Sequence, residues 1–264
     1  MTMKKILYAF AGTVVLLSVI SSCTMFKYDT LDGPNAQING ALLDVKTGEK
    51  IGIEASSSGA GALIVVEKGW DAEADQSWLV RFDGMYTNNL IFAGDYVFST
   101  KNLPCYESEN NAFTVKEGKN RMNISLVPFC RILDPVIKYE GGKIVATFSV
   151  ELGDPTKANQ IANVALCGNT QLFVGCNYQN LAGRDNGAKM KNVNPGETIT
   201  LEIDPELPAN ADLFRYKRER YLRIAAMANG NGYNGNNYYN FSPIYKFSAD
   251  YSTIEEVTWD ENEW

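Results

Sequence analysis

The sequence predicts an all-β protein built as two consecutive β-sandwich domains, and three observations lead there. Apolar and polar residues alternate in several segments, as in Trp78, Val80 and Phe82, in Met122, Ile124 and Leu126, and in Ile144, Ala146, Phe148 and Val150, so that one face of each segment meets a core. Turn signals separate these segments at the spacing of sandwiches, and helical periodicity is almost absent. The length of 264 residues leaves enough chain for two ordinary domains once an export signal is set aside.

That signal occupies residues 1–22. Lys4 and Lys5 precede an apolar run, Ile6 to Ile20, which ends in the small pair Ser21-Ser22 and then Cys23. The run is too short for a comfortable membrane span. A cysteine directly after the small pair resembles the lipobox of bacterial lipoproteins, which implies a diacylglycerol thioether on Cys23 and a chain held at a membrane by its lipid.

Residues 23–35 read as a tether, and the first sandwich as residues 36–130. Its strands are expected at 36–45, returning through Ile51 and Ile53 after the turn Lys46-Thr47-Gly48-Glu49, and at 62–67, 77–82, 94–100 and 120–127. Asp134-Pro135 marks a boundary, because proline lacks an amide donor and biases its predecessor away from helix. The second sandwich then covers 134–249. It resumes at Val136 and Ile137, turns at Gly141-Gly142, and continues with strands at 143–151, 163–167, 171–176, 197–203, 221–228 and 243–247. One short helix is expected within 205–218. The basic stretch from Arg215 to Arg223 reads as a solvated strand edge. Residues 250–264 form an acidic tail whose Trp259 and Trp264 are expected to dock on the protein's own surface or on a neighbouring protein.

The formal net charge of −7 gives no electrostatic footprint for nucleic acid. The chain contains no histidine, which removes the commonest general base and the imidazole ligands of zinc. Walker and Rossmann glycine motifs are missing as well, so an enzyme is not expected. The binding candidate is the stretch 229–240, NGNGYNGNNYYN. There Tyr233, Tyr238 and Tyr239 offer faces for a pyranose, while Asn236 and Asn237 offer paired donors and acceptors for sugar hydroxyls. The bland alternative is a soluble hairpin loop with its tyrosines packed on the sandwich end. Trp70, beside Gly69 and Asp71, is a second aromatic platform. Asp185-Asn186-Gly187 supplies oxygen ligands of the kind calcium accepts, as a loop-stabilising ion. Of the remaining cysteines, pairing of Cys105 with Cys130 and of Cys167 with Cys176 is the simplest connectivity, and four reduced thiols are the alternative.

Several motifs also carry a resemblance. Ile38-Asn39-Gly40, Asp44, Thr47-Gly48, Phe92-Ala93-Gly94-Asp95-Tyr96 and Val115-Lys116-Glu117-Gly118 resemble the carboxypeptidase regulatory-like (Cna B-like, transthyretin-like) sandwich. Tyr221-Leu222-Arg223-Ile224-Ala225-Ala226 and Asn240-Phe241-Ser242-Pro243 resemble an immunoglobulin or fibronectin type III sandwich. With the lipobox, the layout is similar to Bacteroidota lipoproteins of the domain-of-unknown-function 3823 family. The resemblance implies an outer-membrane, surface-exposed lipoprotein beside SusC-like and SusD-like uptake proteins, binding oligosaccharide or polysaccharide. A docking subunit of the uptake complex and a peptide binder are the alternatives.

Overall fold

The computed structural model describes residues 32–54, 61–109, 111–179, 188–229, 232–233 and 236–259. Cys23, Asp185-Asn186-Gly187 and Trp264 lie outside them, as do the side chains of Tyr233, Asn236 and Asn237.

The first half runs β1 (Ala36–Asp44), β2 (Ala62–Glu67), β3 (Asp75–Leu79), β4 (Met85–Ile91), β5 (Gly94–Ser99), β6 (Ala112–Val115), β7 (Gly118–Arg121) and β8 (Ile124–Leu126). One sheet has the order β4-β1-β7, with β8 also on β1, and the facing sheet has the order β3-β2-β5-β6. β1 is antiparallel to β4 and parallel to both β7 and β8. Ile38, Leu42, Leu63, Val65 and Tyr86 close the core around Trp78, whose ring lies about 6 Å from those of Tyr96 and Phe113. The single strand expected at 120–127 is split. Asn123 intervenes, and its Oδ1 accepts from the Ala41 amide at 3.1 Å where the ladder would otherwise continue. β4 escapes the alternation pattern because its centre, Thr87-Asn88-Asn89, lies on an edge strand.

The second half contains β9 (Cys130–Glu140), β10 (Lys143–Leu152), β11 (Ile161–Asn169), β12 (Lys189–Val193) and β13 (Ile199–Ile203). A 3-10 turn (Pro208–Asn210) and one α-helical turn, α1 (Ala211–Phe214), follow within the stretch expected to hold a short helix. The chain ends with β14 (Arg220–Ala228), β15 (Gly232–Tyr233), β16 (Asn236–Asn237), β17 (Asn240–Phe241), β18 (Tyr245–Phe247) and β19 (Ile254–Glu256). The sheet β13-β10-β9 faces the sheet β12-β11-β14-β18-β19, with β17 paired to β14 and β15-β16 forming a separate hairpin. Ile144, Phe148, Val164, Leu166, Leu222, Ile224 and Phe247 fill the space between them. The two sheet pairs make the chain all-β, with distinct N-terminal and C-terminal sandwiches.

Three expectations are corrected. Asp134-Pro135 is not a boundary, because it lies inside β9 at a bulge where the register with β10 shifts and Asp134 takes a φ of 48°. β9 is an edge strand, where a missing amide leaves no ladder bond unmade. Residues 171–176 form a connection rather than a strand. The acidic tail agrees with its expectation, since β19 pairs with β18 and Trp259 lies 4.8 Å from the Arg81 guanidinium on the protein's own surface. The basic stretch is not a solvated edge throughout: Arg220 and Arg223 are both buried. Arg220 donates to the carbonyls of Leu213, Phe214, Tyr216 and Arg218, tying off the turn before β14.

Arg223 joins the two halves. It projects from the outer face of β14, where Phe82 of the first domain packs with Ala165, Cys167 and Ala225 of the second. Its guanidinium donates to Ser242 O at 2.8 Å, to Ile53 O at 2.9 Å and to Phe82 O at 2.7 Å. Burial draws its pKa down to about 9, so it stays protonated at neutral pH. Glu54 is the neighbouring anion, held at 2.7 and 3.1 Å by the amide and side chain of Asn177. A second buried pair, Arg131 with Asp44, crosses the same junction and extends to Glu151 and Lys46.

Removing a buried, hydrogen-bonded cation orphans its partners, so Arg223→Met should lose about 3–5 kcal/mol in urea unfolding; an unchanged midpoint would contradict the clamp. Burial, opposed by the Asn177 amide, raises Glu54 above its usual 4.5. The folded state then binds the proton more tightly, so this stabilisation is complete below 4.5 and lost as pH rises through the raised value. Relative to Glu54→Gln, the wild type should therefore lose stability as pH climbs out of the acid range, measured by unfolding at a series of pH values.

Candidate functional site

The chain after β5 brings Tyr106 to the junction. Leu103 closes a turn onto Thr100 O at 2.8 Å, Cys105 bridges Pro128, and the Tyr106 amide donates to Val127 O at 2.9 Å. Leu103 and Cys105 are buried in the first core. Alternation along an extended segment therefore turns Tyr106 outward, onto the second domain. Its ring meets Phe129 edge-on, with centroids 4.9 Å apart.

The connection between β10 and β11 supplies the opposite wall. Asp154 Oδ1 accepts from the Thr156 amide at 2.9 Å and the Thr156 hydroxyl at 2.6 Å, while Asp154 O accepts from the amides of Lys157 and Ala158. This tight turn sets Lys157 Nζ 4.7 Å from the centre of the Tyr106 ring, a cation–π contact. Gly153 lets the wall approach. A Cβ there would stand 1.6 Å from Pro128 O, and the Gly153 amide instead donates to Phe129 O at 2.9 Å.

Between the walls lies a cavity of about 140 Å³, lined by Tyr106, Ser108, Ser125 and Val127 from one domain and by Asp154 and Lys157 from the other. Cavities of roughly 150 Å³ hold one six-membered ring. Tyr106 Oη is buried and has no hydrogen-bond partner among the described residues. Burial, with Asp154 nearby, raises its pKa, so it remains a neutral hydroxyl able to donate. Hydroxyls, a carboxylate, an ammonium and an aromatic wall match the alternating donors and acceptors of a sugar.

The same geometry argues against hydrolysis at this cleft. A general acid needs a raised pKa, whereas hydrogen bonds from Thr156 hold Asp154 below its ordinary range. The other carboxylate, Glu107, is bound by Ser99 Oγ and by the amide and hydroxyl of Thr100. Among the described residues no group of three or more His, Cys, Asp or Glu could share a metal ion.

The residues singled out from sequence are scattered. Trp70 is 48% exposed and edge-on to Phe92 at 6.4 Å. Both flank the start of β1, where the Asn35 side chain binds the Ala93 amide. The cleft lies past the other end of this nine-residue strand, roughly 27 Å away at the usual strand rise. Tyr238 is corrected to a packing residue: it is 4% exposed within the second core, where its ring cannot face a ligand. Tyr239 is half-buried on a cavity of only about 20 Å³, too small for a sugar ring. The backbone at Tyr233, Asn236 and Asn237 forms the β15-β16 hairpin.

All four described cysteines are free thiols. Cys105 belongs to the first core and Cys130 to the second, where its thiol donates to Ala226 O, so the expected bond between them is not formed. Burial raises both thiols, Cys130 to about 12.

Sequence patterns missed Tyr106, Asp154 and Lys157 because the two walls come from different domains. The available signal was Gly153-Asp154-Pro155-Thr156, a turn motif with an aspartate positioned to cap it.

Comparison with known proteins finds relatives of this chain. Residues 36–127 match the family described as "Protein of unknown function (DUF3823) N-terminal domain". A candidate carbohydrate binding protein from Bacteroides uniformis is 30% identical, with a TM-score of 0.71, covering 85% of this chain and 100% of its own. DUF3823 family proteins from Parabacteroides merdae and Bacteroides ovatus, 21% and 20% identical, share the fold with TM-scores of 0.64 and 0.63. Both alignments cover 81% of this chain and 98% and 99% of theirs. No curated protein matches the sequence significantly.

Gly153→Ala should cost about 1–3 kcal/mol, as overpacking against backbone does. A thermal melt unchanged from wild type would show that the two walls do not meet as described.

Proposed function

Since this chain belongs to the DUF3823 family, we propose that it is a non-enzymatic, lipid-anchored protein that holds one sugar unit of a glycan in the cleft between its domains. The observation that carries this reading is the cavity of about 140 Å³ between the domains, lined by Tyr106, whose buried Oη has no hydrogen-bond partner among the described residues. The 30% identity to a candidate carbohydrate binding protein over that protein's whole length supports the ligand class. The lipobox supports attachment through Cys23 to the outer membrane with the body facing outward. In this setting the protein serves a SusC-like and SusD-like uptake system as an accessory. The parallel pairing of β1 with β7 and β8 favours a carboxypeptidase regulatory-like first domain. A three-stranded sheet facing a larger one favours a fibronectin type III-like second domain.

One observation favours a docking role instead. Trp70 is exposed at the end of the first sandwich where the tether enters, close to any membrane neighbour the tether reaches. In that version Trp70 seats the protein on its transporter and no sugar is bound.

The two readings separate by calorimetry with a panel of neutral oligosaccharides. Tyr106→Phe removes only the orphan hydroxyl, so it should weaken binding about tenfold while leaving the melting temperature equal to or above wild type. Equal affinity of wild type and Tyr106→Phe would remove the cleft from the function. Radiolabelled palmitate should enter the wild-type chain and not Cys23→Ala; equal labelling of both would remove the anchor.

A further inference from the structure

We propose that Cys167 and Cys176 are a cross-linking site, at which thiol–disulfide exchange fastens the connection 170–179 to β11 beneath the domain junction. Their sulfurs are 3.6 Å apart, nine positions apart in sequence. They need close only a short distance to reach bonding separation. Neither buried thiol of the two domain cores competes, because Cys105 and Cys130 are packed in separate clusters that hold neither Cys167 nor Cys176.

The pair is asymmetric in access. Cys167 is fully buried on β11, whereas Cys176 is partly exposed and lines the small cavity beside Gln179, Lys189 and Tyr239. Cys176 is therefore the entry point for a small-molecule disulfide such as oxidised glutathione. Its sulfur attacks one sulfur of that disulfide, giving up its proton, and the other half leaves as a thiolate and is protonated. Cys167 then attacks the Cys176 sulfur of the mixed disulfide and expels the second half as a thiol. Two protein thiols are oxidised, and one external disulfide is reduced to two thiols.

The connection is already folded for closure. The Asn169 side chain donates to Phe173 O at 3.1 Å and to Tyr178 O at 3.0 Å, so its two ends are held together without the bond. Asn177, next to Cys176, is the residue that grips Glu54 of the first domain. Anchoring Cys176 to β11 thus anchors the partner of a carboxylate that crosses the junction. The inference is independent of the glycan reading, since no residue lining the Tyr106 cleft belongs to β11 or to the connection 170–179.

The test uses the full-length lipoprotein extracted in detergent and incubated with oxidised glutathione. The protein is then unfolded without reductant, alkylated, and cut at Lys and Arg. Lys157 and Arg184 flank a single fragment, 158–184, that contains both cysteines, while Cys105 and Cys130 fall on others. The expected fragment carries no alkyl group and is about 2 Da lighter than the reduced form, as loss of two hydrogens requires. Two alkyl groups on it, or glutathione on both cysteines, would overturn the proposal. Hydrogen exchange across 170–179 should slow several-fold on oxidation in the wild type and not in Cys167→Ser. Equal exchange before and after cross-linking of the wild type would overturn the fastening.

Discussion

A guanidinium out of water must find acceptors, and Arg223 finds three, on carbonyls that neither domain holds alone. Ile53 O and Phe82 O come from the first sandwich, and Ser242 O comes from the second. This fixes more than an apolar contact could, because a hydrophobic surface tolerates sliding and three directed hydrogen bonds do not. Gly52 makes room for the cation: a Cβ there would stand 2.2 Å from Arg223 Nη2. Phe82 then packs against the outer face of β11 and β14, so this sheet is buried on both sides. The burial of nearly every residue of β14 follows from that arrangement.

The candidate cleft depends on the same docking. One wall is the extended segment at Tyr106, and the other is the Asp154–Lys157 turn, and the chain passes from one domain to the other beside them, at Val127 to Cys130. Their separation is set by where the domains meet, through the Arg131 and Asp44 pair and through the Asn240 side chain. The latter accepts from the Cys130 amide at 3.0 Å and donates to Pro104 O at 3.0 Å. Pro104 lies two residues before Tyr106, so the junction positions the ring directly. A site held this way is preorganised, and less ordering remains to oppose ligand binding.

What could be read from sequence divides along a physical line. Trp78 and Val80 were legible as inward residues because alternation is a local property of a strand, and both lie in the first core, whereas Phe82, on the same alternation, is buried against the second domain. Gly141-Gly142 was legible as a hairpin turn, and both residues take positive φ, 57° and 80°. Asp134-Pro135 misled because proline carries the same signal at a linker and on an edge strand, and only pairing distinguishes them. Arg223 misled more deeply. A charge in a strand normally marks the solvent face, and the covering surface that buries it comes from residues 140 or more positions away. Tyr238 was assigned by composition to the same class as Tyr233 and Tyr239, and composition cannot assign a direction to a side chain.

An unpartnered buried hydroxyl costs a folded protein about 1–3 kcal/mol, a large share of ordinary domain stability. At Tyr106 an apolar ring of the same shape would avoid that cost, since Phe129 and Lys157 contact the ring rather than the hydroxyl. Packing alone therefore does not account for tyrosine at this position. A ligand hydroxyl that met Oη once the ring turned it toward the cavity would recover the lost hydrogen bond, adding to affinity what the free protein gives up in stability. The lowered pKa of Asp154 fits the same purpose: a carboxylate held ionised accepts hydrogen bonds steadily but is a poor proton donor. The cleft is better suited to holding a polyhydroxylated ring than to cleaving one.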